Sequence, residues 1–374
     1  MGWEELVGQE RVRDTLRRAL QGRRLAQAYL FYGPPGSGME PAALLFARAL
    51  QCLRGEADPC DACSACQKVR ALLHPDVHVL FPAPTDASEE EIAAQRALLA
   101  EEPYAELDWS RRALSEERAR NKQALYSMAM IEALRRAIYL RPYEGPYQVV
   151  LLLEADALRQ EAANALLKTL EEPPERAVFV LSTSRPERLL PTLLSRTQKV
   201  RFEPLTEALI EEALRARGLG QQEASLLARM AAGNLSRALS LLRVSWSAER
   251  EAALRWLRAL ATGRRLEMLR YVEEAQRISR EQLKDRLQTL LFWLHDLWRY
   301  RIWPEPKGLY YPDQIEVLAR FHRNLPGVDL EAMIAALEEA LEAIERNGNA
   351  LLVCMALSLR LERALRREAV SSWR

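Results

Sequence analysis

The sequence predicts an α/β domain built on a parallel sheet, followed by a small helical unit and an all-helical C-terminal domain. Three observations carry this. From residue 28 to about 204, apolar runs of strand length alternate with helical stripes, the pattern of a doubly wound fold. Between the first such run and its helix lies Phe31-Tyr32-Gly33-Pro34-Pro35-Gly36-Ser37-Gly38-Met39-Glu40. A strand, a Gly-rich turn and a helix is the context of a phosphate-binding loop, because backbone N–H groups and a helix N-terminus then face the phosphates. After residue 206 the strand signal disappears. The boundaries this implies are 1–204 for the α/β domain, 205–244 for a three-helix unit and 245–374 for the C-terminal helices.

In chain order, Val12, Leu16 and Leu20 form one stripe of an amphipathic helix over 9–21. Residues 28–32 read as a short buried strand. Pro41 then suits the first position of a helix over 42–52. A short strand is expected at 77–81. Residues 82–125 change character: Pro82, Pro84 and Pro103 interrupt them, and an acidic stretch (Glu89 to Glu91, Glu101-Glu102) gives way to a basic one (Arg111-Arg112 and Arg118 to Lys122). They read as an exposed, partly helical insertion with a solvated charged face. A helix over 127–140 places Ile131, Leu134 and Ile138 inward and turns Arg135 and Arg136 to solvent. The uninterrupted apolar run at 149–153 suits a central strand buried on both faces. A helix at 160–170, a strand at 177–181 and the segment 189–197 complete the domain. Helices over 207–216, 221–231 and 236–242 make the small unit, with Gly218, Gly220 and Gly233 in its turns.

The loop keeps the G-x4-G frame at Gly33 and Gly38, with Gly36 between them. A working phosphate loop continues with Lys, which reaches the β- and γ-phosphates, and Ser or Thr, which holds Mg²⁺. Here those positions are Met39 and Glu40, and a carboxylate there repels a phosphate chain. A working ATPase also ends the 149–153 strand in an Asp for the metal. That position is Leu153, followed by Glu154, and Asp156 lies too far on to substitute.

Directly after the loop's helix come Cys52, Cys60, Cys63 and Cys66, two overlapping C-x2-C steps and one ligand upstream. Four thiolates in tight turns match a tetrahedral structural zinc site with no position left for a catalytic water. An iron–sulfur cluster and free thiols are the competing readings. Cys354 sits in an apolar helical run and reads as core. His74 and His78 lack ligand spacing to the cysteines. The aromatic-rich stretch 291–303, with Phe292, Trp293, Trp298, Tyr300 and Trp303, reads as core or subunit-interface packing rather than a base-stacking surface, and His295 on it as core.

The 374 residues leave room for two or three domains. With 53 basic and 52 acidic residues, the net charge of +1 excludes a global field for nucleic acid, so any such binding needs a local patch. No apolar run reaches the roughly 18 residues of a membrane span. The start, Met1-Gly2-Trp3-Glu4-Glu5, lacks the basic and apolar regions of a signal peptide. A cytoplasmic protein is expected, and five cysteines there do not argue for a disulfide framework.

Several motifs together resemble bacterial clamp-loader subunits of the AAA+ class: Val7-Gly8-Gln9, Ala28-Tyr29-Leu30-Phe31, the Gly33–Gly38 loop and the four cysteines after its helix. The run Asn164-Ala165-Leu166-Leu167-Lys168-Thr169-Leu170-Glu171-Glu172-Pro173-Pro174 is a long and specific match, and Ser195-Arg196-Thr197 is similar to the family's Ser-Arg-Cys. The resemblance covers roughly residues 4–242 by motif; the helical remainder is similar to the family's collar in general character.

That resemblance implies an α/β P-loop (AAA+) domain, a three-helix lid and a helical collar in a hetero-oligomeric ring. The ring opens a sliding clamp and places it on primed DNA. Within the family a motor subunit (gamma/tau) keeps an intact ATP site, and a delta-prime subunit often does not. Met39, Glu40 and Leu153 depart from the motor pattern. So does the lid, where the motor's sensing Arg falls on Ser236 and Arg237 comes one residue, about 100° of helix, later. The departures favour the delta-prime type, with no productive ATP binding and no intrinsic ATPase. The implied partners are motor and clamp-binding (delta) subunits, the clamp and, through the complex, DNA. Ser195 and Arg196 are the implied catalytic motif, Arg196 reaching the γ-phosphate of ATP in the adjacent subunit as a trans arginine finger. The alternatives are an ATP-hydrolysing motor with a deviant loop, and a zinc-dependent DNA-binding module using the cysteines and the basic residues at 111–122 and 135–136.

Overall fold

Three strands with almost no polar residues form the centre of the first unit: β1 (Ala28–Tyr32), β3 (Gln148–Leu152) and β4 (Ala177–Thr183). The shorter β2 (Val77–Leu80) and β5 (Gln198–Arg201) close the two edges. All pairs are parallel, in the order β2-β3-β4-β1-β5. The computed structural model describes residues 2–365 except 23, 56, 108, 110–123, 243–245, 279, 307 and 347. Among these, 2–109 with 124–242 form one compact unit and 246–365 a second.

Side chains alternate across the sheet with the two-residue period of a strand. Tyr29, Phe31, Val149, Leu151, Val178 and Val180 enter one core with α1 (Glu10–Gln21) and α2 (Met39–Gln51). Ala28, Leu30, Val150, Leu152, Phe179 and Leu181 enter the other with α5 (Met128–Ile138), α6 (Gln160–Glu171) and Leu193 of α7 (Pro191–Ser195). Burial on both faces is why β1, β3 and β4 read as continuous apolar runs. Ile131, Leu134 and Ile138 are buried as the stripe predicts, and Arg136 is exposed.

Several expectations need correction. α2 starts at Met39 rather than after Pro41, which occupies its third position. Proline is tolerated there because the first-turn N–H groups have no intrahelical acceptor. β5 was not foreseen: only Val200 of its four residues is buried, as suits an edge strand with polar outward faces. The stretch 82–125 is not merely an exposed insertion. Its helix α4 (Glu89–Glu101) opens with a Ser88–Glu91 capping box. Ala83, Leu99 and Trp109 join the sheet's core, and Tyr104 is buried. The basic residues Arg111, Arg112, Arg118 and Lys122 lie outside the described residues.

Helices α3 (Ser64–Arg70), α8 (Glu207–Ala216), α9 (Gln221–Ala231) and α10 (Leu235–Leu242) complete this unit. The second is helical: α11 (Trp246–Thr262), α12 (Arg265–Arg277), α13 (Arg280–Ile302), α14 (Ile315–Asn324), α15 (Leu330–Glu345) and α16 (Ala350–Leu365). Trp256 stacks on Tyr271 at 4.3 Å, and Trp293 meets Phe321 edge-on. Asp296 is buried and accepts the Tyr310 and Tyr311 N–H groups, each at 2.7 Å. Cys354 is core, as read from the sequence. The aromatic run divides: Phe292 and Trp293 are buried, Trp298 and Trp303 are exposed, and His295 is half-buried rather than core. Among the described residues, no helix is long and apolar enough to cross a membrane.

Candidate nucleotide loop, arginine and cysteine sites

The Gly33–Glu40 loop leaves the carboxyl end of β1 and turns into α2, with positive φ at Gly36 (68°) and Gly38 (103°), where L side chains are strained. Met39 does not stand in for a lysine. Its side chain is buried in the core between α2 and the sheet. Glu40 points instead to the ends of the central strands. Ser182 Oγ, at the end of β4, donates to Glu40 Oε1 at 3.0 Å and accepts from Glu154 N at 3.3 Å. Burial pushes the Glu40 carboxyl up, against hydrogen bonds from its own N–H and Ser182; the Asp156 charge adds to the rise. Asp156 accepts from Thr183 Oγ1 at 2.7 Å. Leu153 is fully buried, and its carbonyl accepts from the Tyr126 hydroxyl. At the positions where the frame calls for a cation, a hydroxyl and a metal carboxylate, there is thus a core methionine, a half-buried acid and a core leucine.

Arg196 and the loop are not brought together. Ser195 ends α7 and Arg196 is its C-cap, immediately before β5. The β1–β5 register pairs Tyr29 with Gln198 and Tyr32 with Arg201. Parallel pairing therefore puts Arg196 at the amino end of the sheet and the loop at the carboxyl end, about 15–20 Å apart at roughly 3.3 Å per strand residue. The guanidinium is 38 % exposed, pairs with Glu171 Oε1 at 2.8 Å and donates to the Thr192 carbonyl at 3.3 Å. Ser195 Oγ also donates to the Thr192 carbonyl.

The four cysteines converge. Their sulfurs lie within 4.8 Å of one another, with Cys60 and Cys66 at 3.9 Å. Ligands about 2.3 Å from a tetrahedral centre sit about 3.8 Å apart, so the set fits a metal ion of zinc's size. Cys52 caps the far end of α2, a 13-residue helix, which places the cluster about 20 Å from the loop. Hydrogen bonds from the Ala62 and Cys63 N–H groups draw the Cys60 thiol down to about 6, whereas burial pushes the Cys66 thiol up. The cluster is tied to the chain's start. Trp3 Nε1 donates to the Ala57 carbonyl at 3.0 Å, and the buried Arg48 pairs with Glu5 and Asp61, each at 3.1 Å.

His74 and His78 are not ligands of this site. His74 Nδ1 accepts from Asp76 N, and His78 Nε2 meets Gln148 Oε1 at 2.9 Å. Four residues not foreseen from the sequence complete the loop's surroundings. Gln9 Nε2 donates to the Ser37 carbonyl at 3.0 Å, and Tyr104 lies against Gly38. Ser182 joins Glu40 to Glu154, and Asn234 lies against Gly36. Gln9 belongs to the Val7-Gly8-Gln9 motif, which by itself assigns it no role, and Tyr104 stands in an acidic stretch that reads as surface.

Parallel strands and a G-x4-G turn opening a helix define a P-loop-type α/β domain. The family model described as "DNA polymerase III, delta subunit" matches residues 8–206, more than half of the chain, and the chain belongs to that family. The DNA polymerase III subunit delta' of Bacillus subtilis is 31% identical over 253 residues, 67% of this chain and 65% of that protein. The tau subunit of the same organism is 27% identical over 365 residues, 90% of this chain and 57% of that protein. The chain therefore spans less than two thirds of the length of either relative. A DNA polymerase III gamma subunit-related protein of Thermotoga maritima aligns with 95% of this chain and 99% of its own, at 16% identity and a TM-score of 0.46.

Proposed function

We propose that this chain is a non-hydrolysing, delta-prime-type subunit of a bacterial clamp loader, which serves a neighbouring subunit's ATP site rather than its own. The observation that carries the reading is the separation within one domain. The loop has lost its cation and hydroxyl to a buried Met39 and to Glu40, while Arg196 stands exposed at the opposite end of the sheet. An arginine there cannot reach its own loop but can meet a phosphate presented by another chain. A planar, permanently charged donor suits charge building on a transferred phosphoryl group. Glu171 and the Thr192 carbonyl hold the side chain in the meantime.

In this reading α8–α10 act as a lid and residues 246–365 belong to the collar that assembles the ring. The partners are a gamma/tau motor, a clamp-binding delta subunit and the sliding clamp, with primed DNA met through the complex. Cys52, Cys60, Cys63 and Cys66 hold a structural zinc ion. Zinc would cross-link the end of α2 to the turn before α3, and Arg48 and Trp3 couple that turn to the chain's start.

The test is reconstitution. Mixed with motor and delta subunits, the chain should co-purify in one complex, and clamp- and DNA-stimulated ATP hydrolysis should require it although it hydrolyses nothing alone. Full hydrolysis without it would overturn the proposal.

A further inference from the structure

Residues 102–106, between α4 and Trp109, touch the loop, the chain's start and the α8–α10 group, all within the first unit. Tyr104 is 3% exposed. Its hydroxyl accepts the Val7 N–H at 2.9 Å, and a Cβ placed on Gly38 would lie 3.0 Å from the same oxygen. On either side of it are two acids. Glu102 takes both Arg217 Nε and Nη2, at 3.0 and 3.1 Å, just after α8. Glu106 Oε2 accepts from Ser240 Oγ of α10 at 3.1 Å. The Arg217 guanidinium also lies 6.0 Å from the centre of the Tyr104 ring.

On the opposite flank of the loop, α10 is already seated. Leu235 N donates to the Gly36 carbonyl at 3.2 Å. Asn234 Oδ1 would stand 1.7 Å from any Cβ at Gly36, while capping α10 through Arg237 N at 2.9 Å. Beyond Tyr104, a cavity of about 630 Å³ lies between the chain's start, α2, α4 and α8, and the tyrosine forms part of its wall.

We propose that residues 102–106 are a strap that fixes the α8–α10 lid over the loop and takes the bridging place a nucleotide would otherwise hold. The inference rests on the reading that this chain does not use ATP at its own loop, and it assigns a role to the 82–125 segment. A ligand bound between loop and lid links the two through contacts to both. Glu102, Tyr104 and Glu106 do the same covalently attached, so the lid needs no ligand to be ordered and does not cycle with one. The bidentate Arg217 contact fixes direction as well as distance. The loop and the lid of the first unit then keep one arrangement.

Hydrogen–deuterium exchange of the full chain tests this. In Tyr104→Ala, and separately in Glu102→Gln/Glu106→Gln, amides of 207–242 should exchange roughly tenfold or more faster than in the parent, with β1, β3, β4 and 246–365 unchanged. Tyr104→Phe, which keeps the ring and loses only the hydroxyl, should fall between. Unchanged lid exchange in both variants overturns the strap. Should Tyr104→Ala speed exchange everywhere, the Glu102/Glu106 pair, which leaves the buried ring in place, decides. The parent's lid should exchange equally with and without Mg-ATP. Protection by ATP would contradict the non-binding reading and would leave the variant comparison intact.

Discussion

Arg196→Ala separates a structural from a catalytic role by magnitude. The side chain makes one ion pair at 2.8 Å with Glu171, whose partners are 38 % and 49 % exposed, and one bond to the Thr192 carbonyl at 3.3 Å. Such a solvent-screened pair contributes about 0–1 kcal/mol. Its loss should therefore move the Tm by no more than about 3 °C in a unit of this size. A finger that meets a transferring phosphoryl group is worth about 10³–10⁵ in rate, or roughly 4–7 kcal/mol of barrier. Loaders assembled with Arg196→Ala should keep their composition on gel filtration and lose about 10³-fold in clamp- and DNA-stimulated ATP hydrolysis. Glu171→Gln, which releases the guanidinium without removing it, should stay within severalfold of the parent. Hydrolysis unchanged in Arg196→Ala loaders would refute the assignment, and so would a drop no larger than that of Glu171→Gln.

Three further outcomes follow from the same geometry. Cys60→Ser should lower bound zinc below one ion per chain and the Tm by about 5–10 °C, read by atomic absorption and calorimetry; a protein that stays fully loaded contradicts the four-sulfur site. Asp76, buried at the end of the turn before β2, accepts the Tyr143, Glu144 and Gly145 N–H groups at 2.6–2.8 Å. Burial opposes its ionisation, but these three bonds outweigh burial and hold the carboxyl below the usual range. Its stabilisation is thus present above the ordinary carboxylate pKa and lost as pH falls through the lowered one. Asp76→Asn should cost about 2 kcal/mol at pH 7 in urea titrations, shrinking towards pH 3. Glu40 has the opposite sign: burial raises its carboxyl, so the ionised form costs stability above the ordinary range. Glu40→Gln should raise the Tm at pH 8 and not at pH 4; a fall at pH 8 would show the carboxylate to be favoured where it sits.

What the sequence revealed follows burial. β1, β3 and β4 stand out because both their faces are covered, so their runs are continuous. β5 escaped because an edge strand with one buried residue has no periodicity to detect. The cysteines were legible because metal ligands need fixed spacings, and Met39 and Glu40 because a phosphate loop tolerates few residues there. The strap was not legible. Tyr104 lies among Pro103, Glu101, Glu102 and Glu106, and composition assigned the stretch to solvent. Its burial comes from segments nearly a hundred residues away in the chain, Val7 among them. The two aromatics of that stretch, Tyr104 and Trp109, were the available signal. The role of Asn234 was equally hidden, because it depends on Gly36 lying against the start of α10.

The claim that this chain has surrendered its own nucleotide site is tested most directly by titrating the purified protein with Mg-ATP in a calorimeter while monitoring phosphate release. No saturable binding up to about 1 mM and no turnover are expected. Micromolar affinity accompanied by Mg²⁺-dependent hydrolysis would contradict it.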